Sequence, residues 1–249
     1  MTLELYHAEP VANSMKVLIC LKEKGIDFVS HYVDLHRFEQ HEPWFVAINP
    51  NGQVPALIHD GHVITESTVI MEYLDDVFPA TALRPVDSVD RARMRILNKF
   101  IDETVMPSVS IHAWRRMVPR IVAHIGKEQW ERLLARIPLK EQQDKWRAAA
   151  ADAFPEQELA EATRRVGIAA ERFERILARS PWLAGSNFSL ADVNAYAHAN
   201  MAPRLFPELM NARATPRWLD WIERMRARPG VSAAHAMPDR TDPRVRLAR

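Results

Sequence analysis

The chain has 249 residues, of which 47% are hydrophobic and 26% are charged, and its formal net charge is +1 at pH 7. This composition is that of a soluble globular protein and calls for neither nucleic acid nor a membrane as partner. The single cysteine, Cys20, excludes an intramolecular disulfide, and the ten histidines lack the spacing of a zinc site. No signal peptide or membrane span is recognisable, so we expect a cytoplasmic protein without a bound metal.

The first eighty or so residues alternate strand and helix patterns. "LELYH" predicts a strand, "NSMKVLICLKEKG" a helix that ends at Gly25, and "DFVSHYVDL" a second strand. A loop with a short helix follows in "HRFEQHEPWFVAINP", and "VPALIHDGHVIT" predicts a hairpin that turns at Asp60 and Gly61. "ESTVIMEYLDDVFP" predicts a helix that Pro79 ends. This order favours a small mixed sheet packed against helices.

Beyond the linker "FPATALRPVDSVD" only helical periodicity is found. We expect one long helix over residues 89–126, bent near Pro107, and further helices in "EQELAEATRRVGIAAERFERILARS", "SLADVNAYAHANMA" and "TPRWLDWIERMRARPGV". Residues 127–157 are longer than a plain connection needs, which predicts a covering or lid-like insertion. The tail after Ala236 is polar and basic.

Two polar pairs stand where helices are predicted to begin. Asn13 and Ser14 follow the first strand, and Glu66 and Ser67 follow the hairpin. Such side chains cap helices, because their oxygen atoms accept hydrogen bonds from the unpaired amides of a first turn. A helix N-terminus also attracts anions, and a hydroxyl placed there can hold one. The residues alone leave both roles open.

Three segments taken together resemble the glutathione transferase superfamily. They are "NPNGQVPAL", "ESTVIMEYLDD" and "LAGSNFSLADVNAYA", in this order and at this spacing. A closer resemblance is to bacterial glutathione-dependent β-etherases, which cleave lignin-derived aryl ethers. Three segments carry it: "PVANSMKV", "FEQHEPWF" and "IPLKEQQDKWRAAAADAFP". The resemblance implies an α/β half followed by an all-α half: a thioredoxin-like domain over residues 1–80, a linker over 81–90, an all-helical domain over 91–240 that forms the electrophile pocket, and a polar tail over 241–249.

The resemblance also implies a glutathione site in the first domain. In "QVP" it implies a cis peptide bond between Val54 and Pro55, a geometry that proline permits at little cost. The backbone N–H and C=O of Val54 would then face the cysteinyl part of glutathione. Gln53 is expected to add an amide contact.

The two ends of glutathione require further partners. The hydroxyl of Ser67 and the first-turn amides of its helix would receive the γ-glutamyl carboxylate, while Glu66 would face the ammonium. Gln40 or His41 would reach the glycyl carboxylate. Each of these roles is implied by the resemblance rather than by the residues alone.

Thiol activation is expected from Ser14 and Asn13. A free cysteine thiol has a pKa of about 8.5, so the site must favour the thiolate. The resemblance places the activating group at the start of the first helix, and either side chain could donate a hydrogen bond to sulfur while the other caps the helix. Cys20 lies well inside the same helix and is expected in the core, which disfavours a cysteine-type exchange enzyme.

The second substrate is expected to be a small aromatic electrophile. In a β-aryl ether the thiolate would attack the carbon next to a ketone, and a phenolate would leave. An apolar, adaptable wall for this substrate is predicted on one side of the long helix, although core packing explains each residue taken singly: Met106, Ser110, Trp114 and Met117.

Two alternatives remain open from the sequence. The electrophile could be a haloaromatic, a haloalkane or an epoxide, or the chain could be a non-catalytic module of the same fold. Homodimer formation is expected through the "ESTVIMEYLDD" helix and the first long helix of the second half. "SLAD", Ser189 to Asp192, fits a capping box with Asp in place of Glu, and we assign it, with Trp218 and Trp221, to the core rather than to the site.

Overall fold

The structure, a computed structural model, describes residues 2–238 and residue 240. Four strands form one sheet in the order β2-β1-β3-β4: β1 (Leu3–His7), β2 (Val29–Tyr32), β3 (Ala56–His59) and β4 (His62–Ile64). β1 pairs in parallel with β2 and antiparallel with β3, and β3 pairs antiparallel with β4. This mixed sheet confirms the α/β character predicted for the first half of the chain.

Three helices accompany the sheet: α1 (Ala12–Lys24), α2 (Pro43–Val46) and α3 (Ser67–Val77). The predicted end of α1 is confirmed, because Gly25 has a φ of 65° and its amide bonds back to the last turn. The hairpin turn is confirmed as well: Asp60 and Gly61 both have positive φ, 47° and 84°. β2 is shorter than predicted, because the chain leaves the sheet after Tyr32 for two short 3₁₀ turns, Leu35–Arg37 and Glu39–His41.

In the described part of the second half the regular elements are helices, apart from an isolated β-bridge between Trp182 and Gly185. The helices are α4 (Ser88–Phe100), α5 (Met106–Ile125), α6 (Lys127–Leu134), α7 (Lys140–Ala150), α8 (Glu156–Leu177), α9 (Leu190–Ala199), α10 (Ala202–Leu205), α11 (Pro216–Arg226) and α12 (Pro229–His235). Helical backbone runs from Ser88 to Ile125, which agrees with the long helix expected over residues 89–126. A π-helical turn, Ile101–Val105, separates α4 from α5, and Pro107 lies in the first turn of α5 rather than at the break.

The two halves share one hydrophobic core. α1 is buried along most of its length and packs against α3 of its own half and against α9 and α12 of the other. Side chains from the sheet, α1, α3, α4, α8, α9, α11 and α12 belong to the same cluster of buried residues. Cys20, Trp218 and Trp221 lie within it, which confirms their assignment to the core. The first and second halves therefore bury their apolar surface together.

A second, smaller core lies where α6 and α7 meet α5. It contains Trp130 and Leu134 of α6, Trp146 of α7 and Val118 of α5, together with Phe38 from the first half. The predicted insertion is thus two packed helices that contact both halves of the chain. The tail over residues 241–249 lies outside the described residues, and among the described helices none has both the length and the hydropathy to cross a membrane.

Candidate active site

The first turn of α1 carries both predicted thiol-activating residues, and neither caps the helix. The N-cap residue is Val11, with no side-chain hydrogen bond, so the capping alternative for Asn13 and Ser14 was wrong. The Ser14 side chain is buried at 3% exposure, and its Oγ accepts a hydrogen bond from the backbone N–H of Ala8 at 3.1 Å. Because a hydroxyl carries one donor and two acceptor sites, this bond leaves the Ser14 O–H available to donate.

Asn13 presents a polar atom without a partner at the same helix end. Its Oδ1 is buried and makes no hydrogen bond within the described chain. Buried amide groups are rarely left unsatisfied, so this oxygen calls for a donor from a bound molecule or from water. Oδ1 accepts hydrogen bonds and so calls for a donor, whereas the Ser14 hydroxyl and the amides of the first turn can donate to an anionic atom such as a thiolate.

The bond between Val54 and Pro55 is cis, which confirms the geometry implied by the resemblance. It immediately precedes β3, so Val54 stands at the end of the sheet next to the α1 N-terminus. Gln53 is exposed, and its backbone carbonyl accepts a hydrogen bond from Asn49 Nδ2 at 2.7 Å. The buried Asn49 thereby holds the loop that leads into the cis bond.

The N-terminus of α3, like that of α1, has no side-chain cap. Ser67 is the first helical residue, at 8% exposure, and no side chain caps the helix, so the capping interpretation of Ser67 was wrong too. Glu66 precedes it with a φ of 67°, a conformation that non-glycine residues seldom adopt. The unpaired first-turn amides and the buried hydroxyl are suited to a carboxylate.

Sequence reasoning missed a polar cluster that joins α3 to the π-helical turn. Asp102 accepts hydrogen bonds from Lys16 Nζ at 2.8 Å and from Thr68 Oγ1 at 2.7 Å. Lys16 is only 1% exposed, and burial lowers its pKa although Asp102 acts in the opposite direction. A lysine inside the apolar run "SMKVLICL" was the available signal, because a buried lysine requires a partner. The cluster ties the start of α3 to the segment that leads into α5.

The structure places Gln40 and His41 in the second 3₁₀ turn, against the loop that carries Gly52. Both side chains are 4% exposed, and Gln40 Oε1 and His41 Nδ1 have no hydrogen-bond partner in the described chain. A Cβ on Gly52 would lie 2.4 Å from His41 Nδ1, so only glycine fits at this approach. Burial, with the Arg136 charge adding to it, lowers the pKa of His41 to about 4, which keeps the ring neutral.

The four predicted wall residues lie on one side of α5 and are all half-buried: Met106, Ser110, Trp114 and Met117. α5 begins directly after the π-helical turn that touches Thr68, and Trp114 and Met117, further along, contact the second core. This side of α5 therefore runs from the start of α3 toward the 3₁₀ turn of Gln40. Its role as the wall for the second substrate stays a prediction.

Other reactive groups stand apart from this site. Burial raises the pKa of the Cys20 thiol to about 12, so Cys20 is unreactive. The "SLAD" capping box is confirmed at the start of α9. The Ser189 side chain accepts a hydrogen bond from the backbone of the first turn, and the Asp192 carboxylate accepts one from the backbone N–H of Ser189. Asp192 also accepts from Trp221 Nε1 at 3.0 Å. No cluster of metal-ligating side chains occurs within residues 2–238 and 240.

Comparison with known families agrees with this geometry. The sequence matches the family "Glutathione S-transferase, N-terminal domain" over residues 1–76 and "Glutathione S-transferase, C-terminal domain" over residues 106–229. The chain therefore belongs to the glutathione S-transferase family, and glutathione is its co-substrate. The Ser14 hydroxyl at the start of α1 and the uncapped start of α3 fit a peptide with one thiol and terminal carboxylates.

Individual members of the family are similar to this chain over nearly its whole length. Protein LigF of Sphingobium sp. (strain NBRC 103272 / SYK-6) is 42% identical over 248 residues, which are 97% of this chain and 96% of LigF. The crystal structure of beta-etherase LigF from Sphingobium sp. strain SYK-6 superposes with a TM-score of 0.89 at 43% identity, covering 94% of this chain and 98% of that one. A glutathione transferase homologue from Sulfitobacter with bound glutathione has a TM-score of 0.67 at 25% identity, covering 93% of this chain and 96% of that one.

Proposed function

We propose that the protein is a glutathione-dependent β-etherase. The observation that carries this proposal is the 42% identity to LigF over 97% of the chain, a coverage that includes the α6–α7 insertion. In the reaction, the glutathione sulfur forms a bond to the β-carbon of an aryl ketone while the bond from that carbon to the aryl ether oxygen breaks. The electron pair leaves with the phenolate, which takes a proton from water. The products are a glutathione thioether and a phenol.

In this proposal Ser14 and Asn13 stabilise the thiolate. The O–H of Ser14 and the Nδ2 group of Asn13 would donate to sulfur, and the positive end of α1 adds to their effect. Hydrogen bonds donated to a thiolate stabilise the anion and therefore lower the pKa of the thiol. The thiol then loses its proton to water at neutral pH, without an obligatory side-chain base.

The other predicted site residues would hold the two substrates. Ser67 and Glu66 would bind the γ-glutamyl end of glutathione. Val54, beside Pro55, would bind the cysteinyl backbone, and Gln53 would add a contact. Gln40 and His41 would serve the glycyl end. The α5 side chains would bind the aromatic ketone above the sulfur: Met106, Ser110, Trp114 and Met117.

The test is chromatography of the purified protein with a racemic β-aryl ether ketone, with and without glutathione. We expect release of the phenol and formation of the matching thioether only with glutathione, with half of the racemate remaining because one enantiomer is chosen. If the protein binds glutathione by calorimetry but releases no phenol, the β-etherase proposal fails. The second substrate would then be another electrophile of the glutathione transferase type.

We further propose a homodimer formed by the outer faces of α3 and α4, in the cytoplasm, where glutathione is kept reduced. Val69 on α3 and Ile96 on α4 are 55% and 59% exposed, and the Glu72–Arg95 ion pair, 2.7 Å, joins the two helices beside them. Apolar side chains on adjoining exposed faces are suited to a partner surface. Sedimentation of the protein and of Ile96→Glu tests this: a dimer that the substitution dissociates is expected, and a monomeric parent protein contradicts it.

A further inference from the structure

The two-helix insertion holds the glutathione-site loop through one aromatic side chain. Phe38 lies between the two 3₁₀ turns of the first half and is fully buried. Its ring centroid is 5.7 Å from that of Trp130 on α6 and 5.2 Å from that of Trp146 on α7. A loop of the first half is therefore inserted between the helices of the insertion.

The backbone at Phe38 indicates that this contact determines the loop conformation. Phe38 has a φ of 60° and a ψ of 32°, in the left-handed region that bulky residues rarely occupy. Such a conformation persists only where the surrounding packing compensates its cost. The same residue is the N-cap of the turn that carries Gln40 and His41, so the direction of that turn depends on where the Phe38 ring is held.

A second tie reinforces the first. Glu42, at the end of the same turn, forms an ion pair with Arg136, which follows α6, at 2.6 Å. The rings of Phe38 and His41 also contact each other, with centroids 5.8 Å apart. Gln40 and His41 are thus flanked on both sides by contacts to the insertion.

Trp146 links this loop to the proposed electrophile wall. Its ring stacks on Trp114 of α5, with centroids 5.3 Å apart and planes inclined by 26°. The same tryptophan therefore contacts Phe38 on one side and a wall residue on the other. The insertion connects the loop at one end of the site with the surface on which the second substrate would lie.

We propose that Phe38 and Trp146 are positioning residues for glutathione: they fix the 3₁₀ turn of Gln40 and His41 so that it meets the glycyl carboxylate. This inference rests on the glutathione site of the proposed function but not on the identity of the electrophile. It assigns to the α6–α7 insertion the role of an anchor for the glycyl end of the co-substrate, rather than that of a lid over the pocket.

The test compares two ligands that differ only in the glycyl residue, reduced glutathione and reduced γ-glutamylcysteine, by calorimetry. In Phe38→Ala we expect the Kd for glutathione to rise about tenfold, the scale of losing one hydrogen bond to a charged group. The Kd for γ-glutamylcysteine should stay within about twofold, because that ligand has no group that reaches the turn. With phenol release as the assay, KM for glutathione should rise while kcat at saturation is retained.

Matched variants separate positioning from a loss of stability. Phe173→Ala makes the same truncation in the main core, where Phe173 is 1% exposed, and should change neither Kd. Phe38→Leu fills part of the space and should restore part of the glutathione affinity. Should Phe38→Ala not fold, Glu42→Gln removes the second tie and should raise the glutathione Kd alone.

The outcomes that overturn the inference differ from those that overturn the proposed function. An equal rise in the Kd of both ligands, or an unchanged glutathione Kd in folded Phe38→Ala, would show that the insertion does not position the glycyl site. A parent protein that binds glutathione but releases no phenol rejects only the β-etherase reaction. A parent protein that does not bind glutathione rejects both.

Discussion

Lys16 of α1, which is fully buried, forms an ion pair with the half-buried Asp102 of the π-helical turn, with 2.8 Å between Nζ and Oδ1. The pair crosses from the first half of the chain to the second. Asp102 also accepts from Asn194 Nδ2 of α9 at 3.2 Å and from Thr68 of α3. Three segments that are distant in sequence, α1, α3 and α9, therefore converge on one carboxylate next to the start of α3.

Removing one partner of this pair should cost far more stability than removing a surface charge. In Asp102→Asn the buried Lys16 ammonium loses its nearest countercharge, and because Asp102 is only half-buried we expect the free energy of unfolding to fall by about 2–3 kcal/mol. Urea unfolding measures the change. As a control, Arg164→Met breaks an exposed pair with Glu161 on α8 and should leave the free energy of unfolding nearly unchanged. Equal losses in the two variants would mean that the Lys16–Asp102 pair has no special role.

Replacing Ser14 should affect the thiol rather than the binding of glutathione. Ser14→Ala removes a donor to sulfur, so we expect the pKa of bound glutathione to rise and kcat to fall about tenfold to hundredfold. The ultraviolet absorbance of the thiolate, titrated in the binary complex, reports the pKa directly. Ser30→Ala is the matched control, because its hydroxyl on β2 bonds His7 instead. A thiol pKa unchanged in Ser14→Ala would remove Ser14 from the mechanism.

Replacing Ser67 should affect the binding of glutathione rather than the reactivity of its thiol. Its hydroxyl is assigned to the γ-glutamyl carboxylate, so Ser67→Ala should raise the Kd for glutathione about tenfold and leave kcat at saturation nearly unchanged. Ser88 provides the control, since it is also the first residue of a helix, α4, but is exposed. Calorimetry that finds the same glutathione Kd for Ser67→Ala and Ser88→Ala would contradict the assignment.

The buried His198 should make the fold sensitive to acid. Burial, with the Lys16 charge adding to it, holds the pKa of His198 well below its usual value of 6.5, and its Nε2 has no partner in the described chain. Because the folded-state pKa is the lower one, the stability present above the unfolded pKa is lost as the pH falls through 6.5.

This histidine alone should therefore lower the free energy of unfolding by about 1.4 kcal/mol between about pH 7.5 and pH 5.5. In His198→Leu that part of the pH dependence should disappear, whereas the part that comes from His41 should remain. Urea unfolding of both proteins at the two pH values measures the difference. Identical pH dependence in parent and variant would exclude His198 as a source.

Local signals in the sequence predicted the elements that depend on local chemistry. Gly25 ends α1, Asp60 and Gly61 make the hairpin turn, and the Ser189–Asp192 capping box starts α9, as their residue types require. These features were predictable because each depends on residues a few positions apart. The apolar periodicity of the second half likewise predicted helices, but not the π-helical turn that divides the longest one.

What could not be predicted depends on contacts between distant residues. The helix caps expected from Ser14 and Ser67 do not form, and Ser14 instead holds the loop that enters α1, through Ala8. Phe38 and Trp146 are more than a hundred positions apart, and nothing local in either segment indicates that one packs on the other. The residue assignments for the two substrates remain predictions, to be decided by the variants described above.

The common core of the two halves limits how such a protein can change its substrate. Since α1 is buried against α9 and α12 as well as against α3, exchanging the helical half for that of a relative would replace the partner surface of an interior helix. We expect such chimaeras to misfold unless that whole contact surface is transplanted with them. We expect a new electrophile to be accommodated by substitutions along the half-buried side of α5 and within the insertion, rather than by exchange of a whole half.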